Sequence, residues 1–252
     1  MHKELHIRIA RALFRRLNLP QEYEKHFIEG IVKPDELMWR GSRRYRVRHH
    51  SVGGIVFDRI RRARYYYLKG DLSSCLYNLG FALHFIQDAH IPSPRTRYLR
   101  RVHDSIERRM RRLPIPEDVI DAGFDVAESS PAHVKRVLSE VQWERDPESA
   151  LLKAVWVSAV ITAAVFGPRE APEGLREEYL DARRRHGKFV AAGWIVFLVG
   201  SVLSFLLLPL SVALFMSFLL GFISVVIVLS DQRFHELDEL AFWYGIKEYA
   251  IV

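Results

Sequence analysis

The sequence predicts an all-α protein, a helical bundle followed by a transmembrane helical hairpin. Three observations predict it. Apolar residues in the first two thirds of the chain recur at helical spacing. No segment alternates apolar and polar residues between hairpin turns. From Phe189 to Ser230 there is no Asp, Glu, Lys, Arg or His. One transmembrane helix needs about 20 apolar residues, so this run holds two.

The elements follow in chain order. In His2–Leu17 the residues Leu5, Ile9, Ala12, Leu13 and Leu17 mark one helical face. Asp71 is placed to cap a helix through Leu72–His90. Tyr98–Arg112 reads as a strongly basic helix closed by Pro114 and Pro116. Ser130-Pro131 opens a helix reaching Val141, and Asp146-Pro147 opens a long one, Glu148–Phe166. A proline in the first turn removes an N–H that had no partner anyway. The second of these helices is apolar enough to be a central core helix, and Lys153 argues against a third span. Gly167–Gly174, with Pro168 and Pro172, reads as the linker, and a basic helix, Leu175–His186, leads to the membrane. Pro209 divides the apolar run into Phe189–Leu208 and Leu210–Leu229. The tail Phe234–Tyr249 is amphipathic and acidic, with Trp243 and Tyr244 suited to a membrane interface.

This reading sets residues 1–167 as a helical domain. Residues 168–188 are the linker and basic juxtamembrane helix, 189–230 the two transmembrane helices, and 231–252 the amphipathic tail. The cluster Arg183-Arg184-Arg185-His186-Gly187-Lys188 puts the start of the hairpin on the cytoplasmic side. A hairpin returns the tail to that side. His2, Lys3, Glu4 and His6 interrupt any signal-peptide pattern. The expected location is therefore the cell membrane, multi-pass, with the body and C-terminus cytoplasmic.

The single cysteine, Cys75, excludes a disulfide framework and a thiolate zinc site, so any metal is held by imidazole and carboxylate. The formal charge is +7, and its basic residues cluster at 43–48, 59–64, 95–112 and 183–185. Arginine forks suit phosphate oxygens. An anionic partner is expected: a phosphoester substrate, nucleic acid or an acidic lipid surface. Tyr65-Tyr66-Tyr67 could supply stacking surfaces for bases.

The chemistry lies in pairs of imidazole and acid. Leu79–Pro92 is apolar almost all round as a helix, yet it carries His84 and Asp88 one turn apart on one face. Burying a carboxylate is costly unless a cation pairs with it. His103 and Glu107 repeat the four-residue spacing, as do His2 and His6, and Asp35 stands fourteen residues before His49, with His50 adjacent. Such a donor set suits zinc, with manganese or iron as alternatives, in one to three ions.

The combination resembles the zinc-dependent phospholipase C family, whose all-helical fold is shared with single-strand-specific zinc nucleases. The similarity spans about residues 2–166: an early His (His6 or His2), Pro34-Asp35, His49, the helix element Leu83-His84-Phe85-Ile86-Gln87-Asp88-Ala89, and His103-Asp104-Ser105-Ile106-Glu107. The resemblance implies one ion on Asp35, His49, His84 and Asp88. A second would use His6, with Asp88 bridging, and a third His103, Glu107 and His90. The family usually has a His six residues past the central Asp, where this chain has Pro94, so either His90 substitutes or the second metal is weak or absent. Family members use a processed N-terminal residue as a ligand; here His2 or the Met1 amine would serve. The implied reaction is phosphoester hydrolysis by metal-activated water, with no protein side chain assigned as catalytic. A lipid substrate is expected because the anchor holds the cleft at the bilayer. The alternatives are a nuclease of the same fold, a metal-dependent HD phosphohydrolase using Asp104, and a membrane binding protein whose catalytic site has decayed.

Overall fold

A computed structural model describes residues 1–39, 52–94 and 96–247. Among the described residues all regular structure is helical, with eleven α-helices, a 3₁₀ turn at Gln21–Tyr23 and no strand. The chain divides into two compact units, Met1–Arg169 and Glu170–Val252.

The first unit holds α1 (Lys3–Leu17), α2 (Glu24–Trp39), α3 (Gly54–Leu68), α4 (Leu72–Ala89), α5 (Arg97–Met110), α6 (Glu117–Asp125), α7 (Pro131–Ser139) and α8 (Pro147–Phe166). Local chemistry sets the ends. Asp71 accepts from the Ser74 N–H at 2.9 Å, Thr96 from Leu99 at 3.1 Å, Ser130 from His133 at 3.1 Å and Asp146 from Ser149 at 2.8 Å. α4 is the centre of the unit. It is buried from Cys75 to Ala89 except at Tyr77, and α2, α3 and α8 pack around it. α8 is the second core helix, as its composition predicts. It is long and apolar enough to cross a membrane, but two thirds of it is buried inside this unit. Its last carbonyls are closed by Arg64, a fully buried arginine on α3, which donates to Val165 O and Gly167 O at 2.9 Å and to Pro168 O.

Two glycines let α2 and α4 cross at backbone contact. A Cβ on Gly80 would stand 2.6 Å from Phe27 O and 2.8 Å from Ile31 N, and one on Gly30 would overlap the Tyr77 carbonyl. This crossing sets Asp35 of α2 beside His84 of α4.

The second unit holds α9 (Leu175–Leu207), α10 (Leu210–Leu229) and α11 (Gln232–Trp243). The basic helix and the first apolar segment form one unbroken helix, so the division expected near His186 is absent. No proline interrupts the run between Pro172 and Pro209, so helical hydrogen bonding continues through it. α9 is long and apolar enough to span a membrane and its apolar stretch is almost unburied; the apolar part of α10 is shorter. Leu207 and Phe218 are each 76 % exposed. The two helices meet through small residues, with Ser224 Oγ donating across to Gly193 O at 2.8 Å. α11 folds back on the start of α9 and buries Leu237 and Ala241 against Leu175, Tyr179 and Ala182.

Candidate metal centre

Four helices deliver the side chains. His6 comes from α1, Asp35 from α2, His84 and Asp88 from α4, and His103 and Glu107 from α5. His6, His84 and Asp88 form one buried group and His103, Asp104 and Glu107 a second, with the donor atoms of each group within 4.8 Å of one another. In the first group His6 Nε2 lies 3.2 Å from Asp88 Oδ1. His84 Nε2 lies 3.4 Å from Asp88 Oδ2 and 3.6 Å from Asp35 Oδ1. The two imidazoles are stacked, with centroids 4.3 Å apart. In the second group His103 Nε2 lies 3.5 Å from Glu107 Oε1, and Asp104 is exposed.

The other ring nitrogens are already committed. His84 Nδ1 is 2.7 Å from Ile31 O and His103 Nδ1 is 2.9 Å from Pro92 O. A carbonyl only accepts, so each Nδ1 carries the proton it donates. A neutral ring then presents a lone pair at Nε2. His6 Nδ1 is 2.7 Å from Gln87 Oε1, and the Gln87 amide donates to Ser158 Oγ at 3.1 Å. His84, when neutral, thus turns an Nε2 lone pair toward carboxylate oxygens, and His6 Nε2 and His103 Nε2 face carboxylate oxygens as well. Two acceptors repel unless a proton or a metal ion lies between them.

The spacing decides which cation fits. A charge-assisted N–H···O bond is about 2.7–2.9 Å, shorter than every Nε2–carboxylate distance here. Donors bonded tetrahedrally to one ion at about 2.0–2.1 Å are separated by about 3.3–3.4 Å. The observed 3.2–3.6 Å brackets that value. His6 Nε2 is buried and has no aligned hydrogen-bond partner. These residues fit a divalent ion of the zinc type.

The titration direction of His84 agrees with a neutral ring in the first group. Burial, then the His6 ring, hold His84 below its ordinary value, against the pull of Asp88 and Asp35. In the second group burial works to lower His103, but the Glu107 and Pro92 contacts outweigh it and raise it. Burial likewise works to raise Glu107, but His103 and the Met1 amine hold it down at about 2. The Met1 amine is fully buried between the groups, bonded to Asp88 Oδ1 and 3.1 Å from Glu107 Oε1. Burial works to lower its pKa, and Asp88 and Glu107 raise it nonetheless.

The remaining sequence candidates lie elsewhere. His2 is the N-cap of α1, its Nδ1 accepting from the Glu4 N–H at 3.5 Å, and it joins neither group. His90 Nδ1 donates to Ile86 O at 2.8 Å, and the ring, held below its ordinary value by burial, also joins neither group. His49 and His50 lie outside the described residues, as do the arginines at 43–48 and Arg95. Sequence reading missed Gln87, which stands between the two candidate ligands His84 and Asp88 yet faces His6. It also missed Gly30 and Gly80; a glycine inside each of two helical patterns was the available signal. Gln87→Leu is expected to weaken metal binding about 10–100-fold by freeing the His6 ring, read by competition with a chromogenic chelator. Unchanged affinity would remove Gln87 from the site.

No protein-family model, no curated protein and no solved structure matches the chain. The candidate site therefore stands on its geometry.

Proposed function

We propose that this chain is a membrane-anchored, zinc-dependent phosphoester hydrolase of the phospholipase C-like type. The observation that carries the reading is the first group, where His6 Nε2 and His84 Nε2 face Asp88 from 3.2 and 3.4 Å with all three side chains buried. His6, His84, Asp88 and Asp35 would hold one ion, and His103 with Glu107 a second. Bound there, the metal supplies Lewis acidity toward a phosphoryl oxygen and lowers the pKa of water. The chain's own part is orientation. Ile31, Pro92 and Gln87 fix the rings, α4 and α8 exclude water from the buried side, and Asp88 and Glu107 keep the charge balance. Arg100 is exposed and lies one turn before His103 on α5, placed to receive an anionic substrate. The α9–α10 hairpin supports a lipid substrate, since it would hold the protein at the bilayer with both its ends cytoplasmic.

One feature favours a second reading. Tyr98 is 71 % exposed on the strongly basic α5, and arginine interleaved with an exposed aromatic suits single-stranded nucleic acid. The test uses full-length protein in detergent beside a His84→Ala/Asp88→Ala double variant. Metal is measured by mass spectrometry, and turnover on phospholipid micelles and on single-stranded DNA. Metal and lipid turnover that vanish together in the variant support the hydrolase. DNA cleavage instead makes the chain a nuclease, and metal without turnover on any phosphoester makes it a binding protein. A folded protein that takes up neither zinc nor manganese ends the metal reading.

A further inference from the structure

The second unit carries a charged cleft that the candidate centre does not use. It has a volume of about 530 Å³ and is lined by Glu178, Asp181, Arg184, Arg185, Lys188 and Arg233, with Leu237 as its apolar floor. Residues 181, 184, 185 and 188 follow the three- and four-residue steps of one helix face. Arg233 comes from α11, after the chain has run up and down the hairpin. The sequence alone marks the basic run at 183–188; the fold adds a cation from the far side of the apolar segment.

A clasp fixes that cation. The His186 ring stacks on Phe234 with centroids 3.9 Å apart and planes 9° apart. His186 Nδ1 lies 3.1 Å from Asp231 Oδ2, while Asp231 Oδ1 caps α11 by accepting from the Phe234 N–H at 3.2 Å. Arg233 sits between Gln232 and Phe234, so the clasp sets it over the basic face of α9.

Four cations face two carboxylates here. Asp181 pairs with Arg184 at 3.0 Å and Glu178 with Arg233 at 3.1 Å. The excess positive charge lies toward the hairpin, for Lys188 adjoins Phe189, where the apolar run begins. At about 1.5 Å of rise per residue, Arg184, Arg185 and Lys188 fall within about 8 Å of that boundary. This is the depth of a lipid phosphate when the apolar run lies in the hydrocarbon. Basic side chains at that level attract anionic headgroups, and arginine forks bind phosphate oxygens bidentately.

We infer that this cleft is a binding site for the phosphate of an anionic phospholipid in the membrane the hairpin occupies, held by Arg185, Lys188 and Arg233 with Arg184. The inference rests on the reading of α9 and α10 as a membrane hairpin and is independent of the metal centre.

The experiment uses the full chain in nanodiscs of mixed phosphatidylcholine and phosphatidylglycerol, with retained lipid identified by native mass spectrometry. The wild type is expected to retain phosphatidylglycerol preferentially. Arg185→Gln/Lys188→Gln/Arg233→Gln is expected to lower that preference about tenfold or more, since each basic group contributes a few-fold near the surface. Arg176→Gln/Arg183→Gln removes two charges from α9 outside the cleft and is expected to keep most of the preference. Equal loss in both variants, or no preference in the wild type, overturns the site. Displacement of the lipid by inorganic phosphate alone also overturns it, because the ligand is then the free anion. An alkaline wash of native membranes separates the two readings. Protein released by the wash defeats the hairpin itself, whereas retained protein without lipid selectivity defeats only the cleft.

Discussion

Asp88→Asn is expected to abolish divalent-ion binding at the proposed centre and to destabilise the protein by about 3–5 kcal/mol, the usual result of deleting one partner of a buried charge cluster. Asp88 is 2 % exposed and meets His6 Nε2 at 3.2 Å, His84 Nε2 at 3.4 Å and the Met1 amine. Asparagine has nearly the same shape, so packing is preserved and the change is one of charge. Its amide can donate to one lone pair, which places the stability cost toward the lower end. It cannot neutralise an ion or the amine. The metal loss is expected to exceed the roughly 10–100-fold typical of a residue that only orients a ligand. Metal content by mass spectrometry and denaturant unfolding in detergent read the two effects. A variant that keeps its metal and its stability would falsify the placement of Asp88 at the centre.

The second large effect comes from a residue with no side chain. Gly80→Ala places a methyl 2.6 Å from Phe27 O and 2.8 Å from Ile31 N, both backbone atoms that no rotamer change can move. Alanine is the better helix former by about 1 kcal/mol, but overpacking of this kind costs about 1–3 kcal/mol and occasionally more. The clash involves main chain on two contacts, so the net expectation is a loss of about 2 kcal/mol. The function should suffer with it. A shifted α2 carries away Asp35, and also Ile31 O, the acceptor that fixes the His84 tautomer. Reduced unfolding midpoint and weakened metal binding should therefore appear together. Normal stability with normal metal would show that the helices separate without consequence.

The helices read most clearly from the sequence were those with chemical punctuation. Asp71, Ser130 and Asp146 stand where caps belong, and Pro209 divides the apolar run where α9 gives way to α10. α2, α3 and α6 were not anticipated. α2 carries an internal Pro34, which argues locally against a helix, and tertiary packing on α4 overrides it. The unbroken α9 was missed because the change from charged to apolar composition was read as a boundary, although composition does not interrupt helical hydrogen bonding. At the site, the four-residue spacings identified His84 with Asp88 and His103 with Glu107, since a helix turns spacing into adjacency. Gln87 was hidden for the same reason. Its partner His6 is far away in sequence, and only the packing of α1 on α4 brings them together.

The continuity of α9 has a mechanical meaning. A helix without a joint behaves as a lever, so whatever orientation a bilayer would impose on its apolar end, were it to span one as proposed, would be imposed on its basic end as well. Membranes of different thickness accommodate a fixed apolar length largely by changing its tilt. The Leu175–Lys188 arm is about 20 Å long at 1.5 Å per residue. A change of about 20° in tilt would therefore sweep its far end by about 7 Å. Bilayer thickness would be converted into displacement at Gly174, the left-handed residue where the rod begins.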